Sequence, residues 1–202
     1  MKGSIVAIIF VIVNVVAISI FMIVTTTSIK KSILTEEKLS REYLNNILDI
    51  YSKKRAASIQ YYNAVSKIPR LDAYTISSLS NYITRLSKID IDDKLIEKPL
   101  TFQEFQYIQA RIQENINKID YTARNYPVLR TNQFYMEALR TMIPIIQEER
   151  KAIEAYNTHV NEYNRLSTMP PSNIVAGIMG KFPFLSFETG TNIISQTAHI
   201  FQ

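Results

Sequence analysis

The 202-residue sequence has no cysteine, no tryptophan, two histidines and four glycines. Without cysteine there is no disulfide, no thiolate nucleophile or ligand, and no lipid-modified cysteine behind an apolar leader. Four glycines form neither a P-loop nor a dinucleotide-binding pattern. With tryptophan absent as well, this scarcity speaks against a β-rich fold. His159 and His199 make no His-Glu-x-x-His zinc site, and His159 reads as a solvated or hydrogen-bonded residue on the polar side of a helix. Asp90-Ile91-Asp92-Asp93 lacks the glycine and closing glutamate of a calcium loop. The charge is +5, from 23 basic and 18 acidic residues. That excess is small, and too evenly spread, for a nucleic-acid surface. No catalytic centre, cofactor or metal site is expected.

What the chain does have is an apolar run. Ile5 to Val24 carries no charge, and its polar interruptions are Asn14 and Ser19. As a helix, about 20 residues span roughly 30 Å, the hydrocarbon thickness of a bilayer. The run is too long for the core of a cleaved signal peptide, and Ile23-Val24-Thr25-Thr26 is a poor cleavage site. Buried core helices seldom run this long without charge. Residues 1–28 are therefore predicted as a membrane anchor with its span at 5–24, in contact with lipid. Lys2 stands alone on one side, while Lys30, Lys31, Lys38 and Arg41 follow the other. This bias predicts a single-pass protein with its C-terminal body in the cytoplasm.

The body, residues 29–167, reads as helices throughout. The first continues from the span to about residue 67, on a stripe of Leu44, Ile47, Tyr51, Tyr61, Val65 and Ile68, and Pro69 ends it. A second covers about 72–87. Residues 89–101 read as an exposed loop. Thr101-Phe102-Gln103-Glu104 has the form of a capping box and opens a third helix over about 102–124. The fourth, about 132–166, repeats apolar residues at steps of four and three from Tyr135 to Tyr163, with Glu149 breaking the series. Pro144 is expected to kink this helix without ending it. If Glu149 is buried it needs a cation, and Lys54 is the candidate. Four amphipathic helices on short connections predict an all-α fold: a transmembrane helix followed by an antiparallel four-helix bundle of long, coiled-coil-like helices. Such periodicity also permits a homo-oligomer through the stalk.

Residues 168–202 form a C-terminal apolar loop and tail. Pro170 and Pro171 stop the fourth helix, Ser172 or Asn173 can cap a short apolar turn, and Gly180 can close it in the left-handed conformation. Ile174, Val175, Ile178, Met179, Phe182 and Phe184 together make an apolar surface that needs a cover: the bundle, a protein partner or the bilayer. Thr191 to Gln202 reads either as a last amphipathic helix or as a frayed tail.

This C-terminal region resembles the LemA family of bacterial membrane proteins. The resemblance rests on Tyr156-Asn157, Val160, Tyr163-Asn164, the run from Pro171 through Asn173-Ile174-Val175-Ala176-Gly177 to Gly180, and Phe187-Glu188. Upstream, Tyr126-Pro127, Leu129-Arg130 and Asn132 are similar to the family's lead-in to the same helix, and Lys54-Arg55-Ala56 to its double-arginine element. Gln60, residues 143–147 and residues 152–155 depart from the family pattern, as in a divergent member. The resemblance implies one span before a helical body at a bacterial membrane, no established enzymatic activity, and a scaffolding role, since some relatives are linked to membrane remodelling. The functional expectation is a non-enzymatic scaffold that contacts a protein partner or lipid through the C-terminal apolar element. The alternative is a sensory module that passes a change down the stalk helix.

Overall fold

The computed structural model describes residues 2–69, 71–124, 126 and 131–188, with side chains from residue 9 onward except that of residue 124. Every regular element among them is a helix: α1 (Lys2–Val65), α2 (Ala73–Leu86), a 3-10 turn (Leu95–Glu97), α3 (Pro99–Arg124), α4 (Gln133–Thr168) and α5 (Ser172–Ile178). The fold is all-α. The chain divides into two compact units, Met1–Ser40 with His159–Phe184, and Arg41–Thr158 with Leu185–Gln202. Helices α1 and α4 contribute to both.

In the second unit the buried positions follow helical spacing. On α1 they are Leu44, Ile47, Tyr51, Tyr61 and Val65; on α2, Leu79, Ile83 and Leu86; on α3, Phe105, Ile108, Ile112, Ile116 and Ile119. Aromatic side chains join these stripes. Tyr51 meets Phe105 edge-on at 4.7 Å, Tyr61 lies 6.1 Å from Tyr135, and Tyr82 meets Tyr107 at 6.0 Å. Such pairs add about 0.5–1.5 kcal/mol beyond the area they bury. The guanidiniums of Arg85 and Arg111 each lie 5.6 Å from the Tyr82 ring. Helix α2 starts at Asp72, whose carboxylate accepts the N–H groups of Tyr74 and Thr75. The hydrogen bond from the Thr75 hydroxyl, followed by those backbone bonds, holds the Asp72 carboxyl below its usual range.

Three local expectations are revised. Thr101-Phe102-Gln103-Glu104 makes no capping box, because α3 already begins at Pro99. Proline suits a first helical turn, where its missing N–H is not needed, and Glu104 instead pairs with Arg85 at 3.1 Å. The 89–101 connection is not wholly exposed: Leu95 and Ile96 of the 3-10 turn are buried, while Asp92 accepts the Lys94 N–H and pairs with Lys98. Neither Ser172 nor Asn173 caps α5. Pro171 precedes the helix without a side-chain cap, and the Ser172 hydroxyl donates back to Met169 O.

The close of α5 follows from Gly180, which has a φ of 64°. The Lys181 N–H bonds to Ala176 O and the Gly180 N–H to Gly177 O, a Schellman closure that satisfies the last helical carbonyls. Helix α4 continues through Pro144.

The 3-10 turn is a part of the core that lies outside any long helix. Leu95→Ala should lower stability by about 2–5 kcal/mol, whereas Asp93→Ala, at an exposed position, should change it by less than about 0.5 kcal/mol. Urea titration followed by far-UV circular dichroism in detergent measures both.

Candidate functional site

Two features carry polar chemistry in the interior of the second unit. The first is an ion pair. Lys54 on α1 reaches both carboxylate oxygens of Glu149 on α4, at 2.8 and 2.6 Å. Their side chains are 4% and 11% exposed. Glu149, which breaks the apolar series of α4, is thus held by a cation of matching burial. Lys54 Nζ also lies 5.7 Å from the Tyr51 ring centroid. Burial, followed by the Glu149 charge, pushes the Tyr51 phenol well above its ordinary range, so Tyr51 stays neutral and acts as a packing group.

The second feature is an extended segment strapped along α4. Pro183 to Glu188 has no regular secondary structure, so its backbone groups need partners elsewhere. In the second unit, Asn157 Nδ2 donates to Phe187 O at 2.7 Å while Asn157 Oδ1 accepts the Phe187 N–H at 2.9 Å. Tyr156 donates its hydroxyl to Leu185 O at 2.8 Å. Gln106 Oε1 accepts the Glu188 N–H at 2.7 Å. The Phe187 ring sits between Phe102 at 4.8 Å and Tyr156 at 5.2 Å.

The first unit repeats the device. Asn164 Nδ2 donates to Phe184 O at 2.8 Å, and Asn164 Oδ1 accepts the Phe184 N–H at 2.8 Å. The Phe184 ring stacks on Tyr163 at 4.5 Å. An asparagine side chain is a primary amide, so it meets a peptide group as a neighbouring strand would, one donor and one acceptor at a time.

A scan of family models matches residues 48–199 to the LemA family. The chain belongs to the LemA family. No curated protein and no solved structure matches it. The residues that carry the LemA resemblance now have a physical reason. Tyr156-Asn157 and Tyr163-Asn164 each place one ring and one amide on the strap, and Phe187 is the side chain the strap inserts. The asparagine roles were not read from the sequence, although the signal was there: two Tyr-Asn pairs seven positions apart. Pro127, Leu129 and Arg130 of the upstream element lie outside the described residues.

The C-terminal apolar residues separate into two groups. Ile174, Ile178 and Phe182 are 65%, 83% and 76% exposed, and Val175 and Met179 are half-buried. Phe184 is buried on Tyr163 and does not belong to the exposed face. His159 meets Glu36 through Nδ1 at 2.9 Å, and Lys181 pairs with Glu37 at 2.6 Å. Among the described residues no three metal-ligating side chains converge.

Two substitutions test this chemistry. Asn157→Leu strands the Phe187 N–H and C=O, each at about 1–3 kcal/mol, and should accelerate tryptic cleavage at Lys181 in a time course read by mass spectrometry. Glu149→Ala leaves the Lys54 charge buried and should destabilise by about 3–5 kcal/mol, while the Lys54→Met/Glu149→Met double variant should recover most of that loss in denaturant titrations.

Proposed function

We propose that this LemA protein is a single-pass, membrane-anchored, non-enzymatic scaffold whose first unit rests on the bilayer surface through Ile174, Ile178 and Phe182. The observation that carries this reading is a change along α1. From Ile9 to Val24 its large apolar side chains are 51–68% exposed. Covered positions then begin at Thr25 and Ile29 and deepen to Ile33 and Ser40. Leaving thirteen such side chains in water is unfavourable by on the order of 20 kcal/mol, more than the ~5–15 kcal/mol that keeps a typical domain folded. Lipid removes that penalty. The polar interruptions suit lipid too, because Asn14 donates to Phe10 O and Ser19 to Val15 O, each at 2.8 Å within the helix.

The body is read as an antiparallel four-helix bundle. Lys54–Glu149 and Tyr61–Tyr135 support this, since numbering rises on α1 as it falls on α4. Ser78–Asn115 and Tyr82–Tyr107 do the same for α2 and α3. In that arrangement the His159–Glu36 pair sets the register. Thr168, nine residues or roughly 13 Å further along α4, then stands about level with Thr27, just past the span. The exposed apolar residues follow immediately, at headgroup depth. Exposed Lys30, Lys31 and Lys38 would add about 1 kcal/mol each against anionic lipid and favour a cytoplasmic body. A non-enzymatic role is supported by the interior charges, Lys54 and Glu149, which neutralise each other. A second reading, a sensory module, is favoured by the unbroken run of α1 from Lys2 to Val65, which would carry a rotation from the span into the body.

Because the chain lacks tryptophan, a single introduced indole reports depth. In vesicles containing brominated lipid, Phe182→Trp should be quenched strongly and Phe184→Trp weakly. Equal, weak quenching of both would assign the exposed face to a protein partner instead.

A further inference from the structure

Beside the Lys54–Glu149 pair the second unit carries an open groove of about 1030 Å3, to which α3 contributes from Gln106 to Thr122 and α4 from Ile146 to Glu154. Gln106 to Thr122 is a rise of about 24 Å along α3. Spread over that length, the space averages roughly 40 Å2 in cross-section, about half that of a whole helix some 10–12 Å across. It has room for one face of a helix. Its apolar walls suit such a face: half-buried Ile146 and Ile153, seven positions apart on α4, and Ala110 and the exposed Tyr121 on α3. The charge of the groove is opposite to that of the chain, which is +5 overall. Lys54 and Glu149 neutralise each other. Around them Asp72, Glu114, Glu154 and Glu188 outnumber Lys118 and Arg150. Asp72 is engaged at the start of α2, and Lys118 pairs with Glu114 at 2.6 Å. That leaves two exposed carboxylates, Glu154 and Glu188, without an ion pair among the described residues, against Arg150.

We propose that this groove docks one amphipathic helix of a partner protein, about four turns long, whose apolar stripe is flanked by lysine or arginine. Helix-in-groove recognition sets side chains at i, i+3 or i+4 and i+7 into an apolar channel, and the flanking cations then meet Glu154 and Glu188. Complementary rim charge selects the partner and speeds its arrival. Two nearer occupants lack this chemistry. Residues 189–202 contain neither lysine nor arginine. A second copy's exposed apolar helix, α5, is seven residues long and has neither as well. The site lies wholly in the second unit, so it stands whether or not the first unit rests on lipid.

The test uses the full-length protein in phosphatidylcholine nanodiscs and two fluorescein-labelled helical peptides of four turns. Both carry the same leucine stripe, flanked by lysine in one and by glutamate in the other. Fluorescence anisotropy, corrected with empty nanodiscs, should show the lysine peptide binding at least about ten-fold more tightly than the glutamate peptide. Glu154→Lys/Glu188→Lys, at two exposed positions, should remove that preference or reverse it. Ile153→Asp should weaken both peptides. Glu137→Lys, at an exposed acid outside the groove, should change nothing. If Ile153→Asp fails to fold by circular dichroism, the charge-reversed pair still decides the matter. Equal affinity for the two peptides, no saturable binding of either, or indifference to the charge reversal overturns the proposal. So does binding that appears only when the chain is ended at Glu188, because the chain's own last residues then hold the groove. A dimer in sedimentation that Ile153→Asp converts to monomer overturns it too, because the occupant is then a second copy.

Discussion

An apolar helix face has to be covered, and α1 lacks a protein cover along its first stretch. From Ile9 to Val24 every large apolar side chain is exposed; from Ile33 onward one face is buried at helical spacing. If its first stretch sits in lipid, as proposed, the same continuous helix meets two solvents. The rest of the chain can be understood as what supplies the second one: the faces of α2, α3 and α4, and a strap that seals where helices alone do not.

The strap shows what the two Tyr-Asn pairs of α4 do in this chain. A segment without secondary structure brings backbone donors and acceptors that must be paired if they are to be buried. Asn157 and Asn164 pair them with primary amides, and Tyr156 adds a hydroxyl. The rings of Phe187 and Phe184 then enter the interior without leaving polar groups unpaired behind them. The Lys54–Glu149 pair meets the same demand for charge. Two ions removed from water are tolerable only together, and good packing of apolar residues in their place is often no less stable. The pair is better regarded as fixing how α1 and α4 meet than as a source of stability.

Much of the helix content was legible. The stripes of α2, α3 and α4 follow 3.6-residue spacing, and Glu149 stood out because it interrupts one. The cation facing it came from asking what a buried carboxylate requires. What escaped the sequence has physical causes. Thr101 and Glu104 match a capping pattern, but Pro99 starts the helix earlier and Arg85 claims the glutamate. Leu95 and Ile96 sit among acids and a proline, so their burial depends on a tertiary contact that no local pattern encodes. The strap was invisible for a similar reason: an asparagine on a helix signals nothing until an extended segment lies beside it. Phe184 and Phe182 are two positions apart, and one is buried while the other is exposed, which apolarity alone does not distinguish.

The central claim is that the stretch from Ile9 to Val24 resides in lipid. Extraction of isolated membranes with alkaline carbonate, followed by sedimentation and immunoblotting, tests it directly. The account predicts that the uncleaved polypeptide stays in the pellet and is released only by detergent. Recovery of the full-length chain in the carbonate supernatant would contradict it.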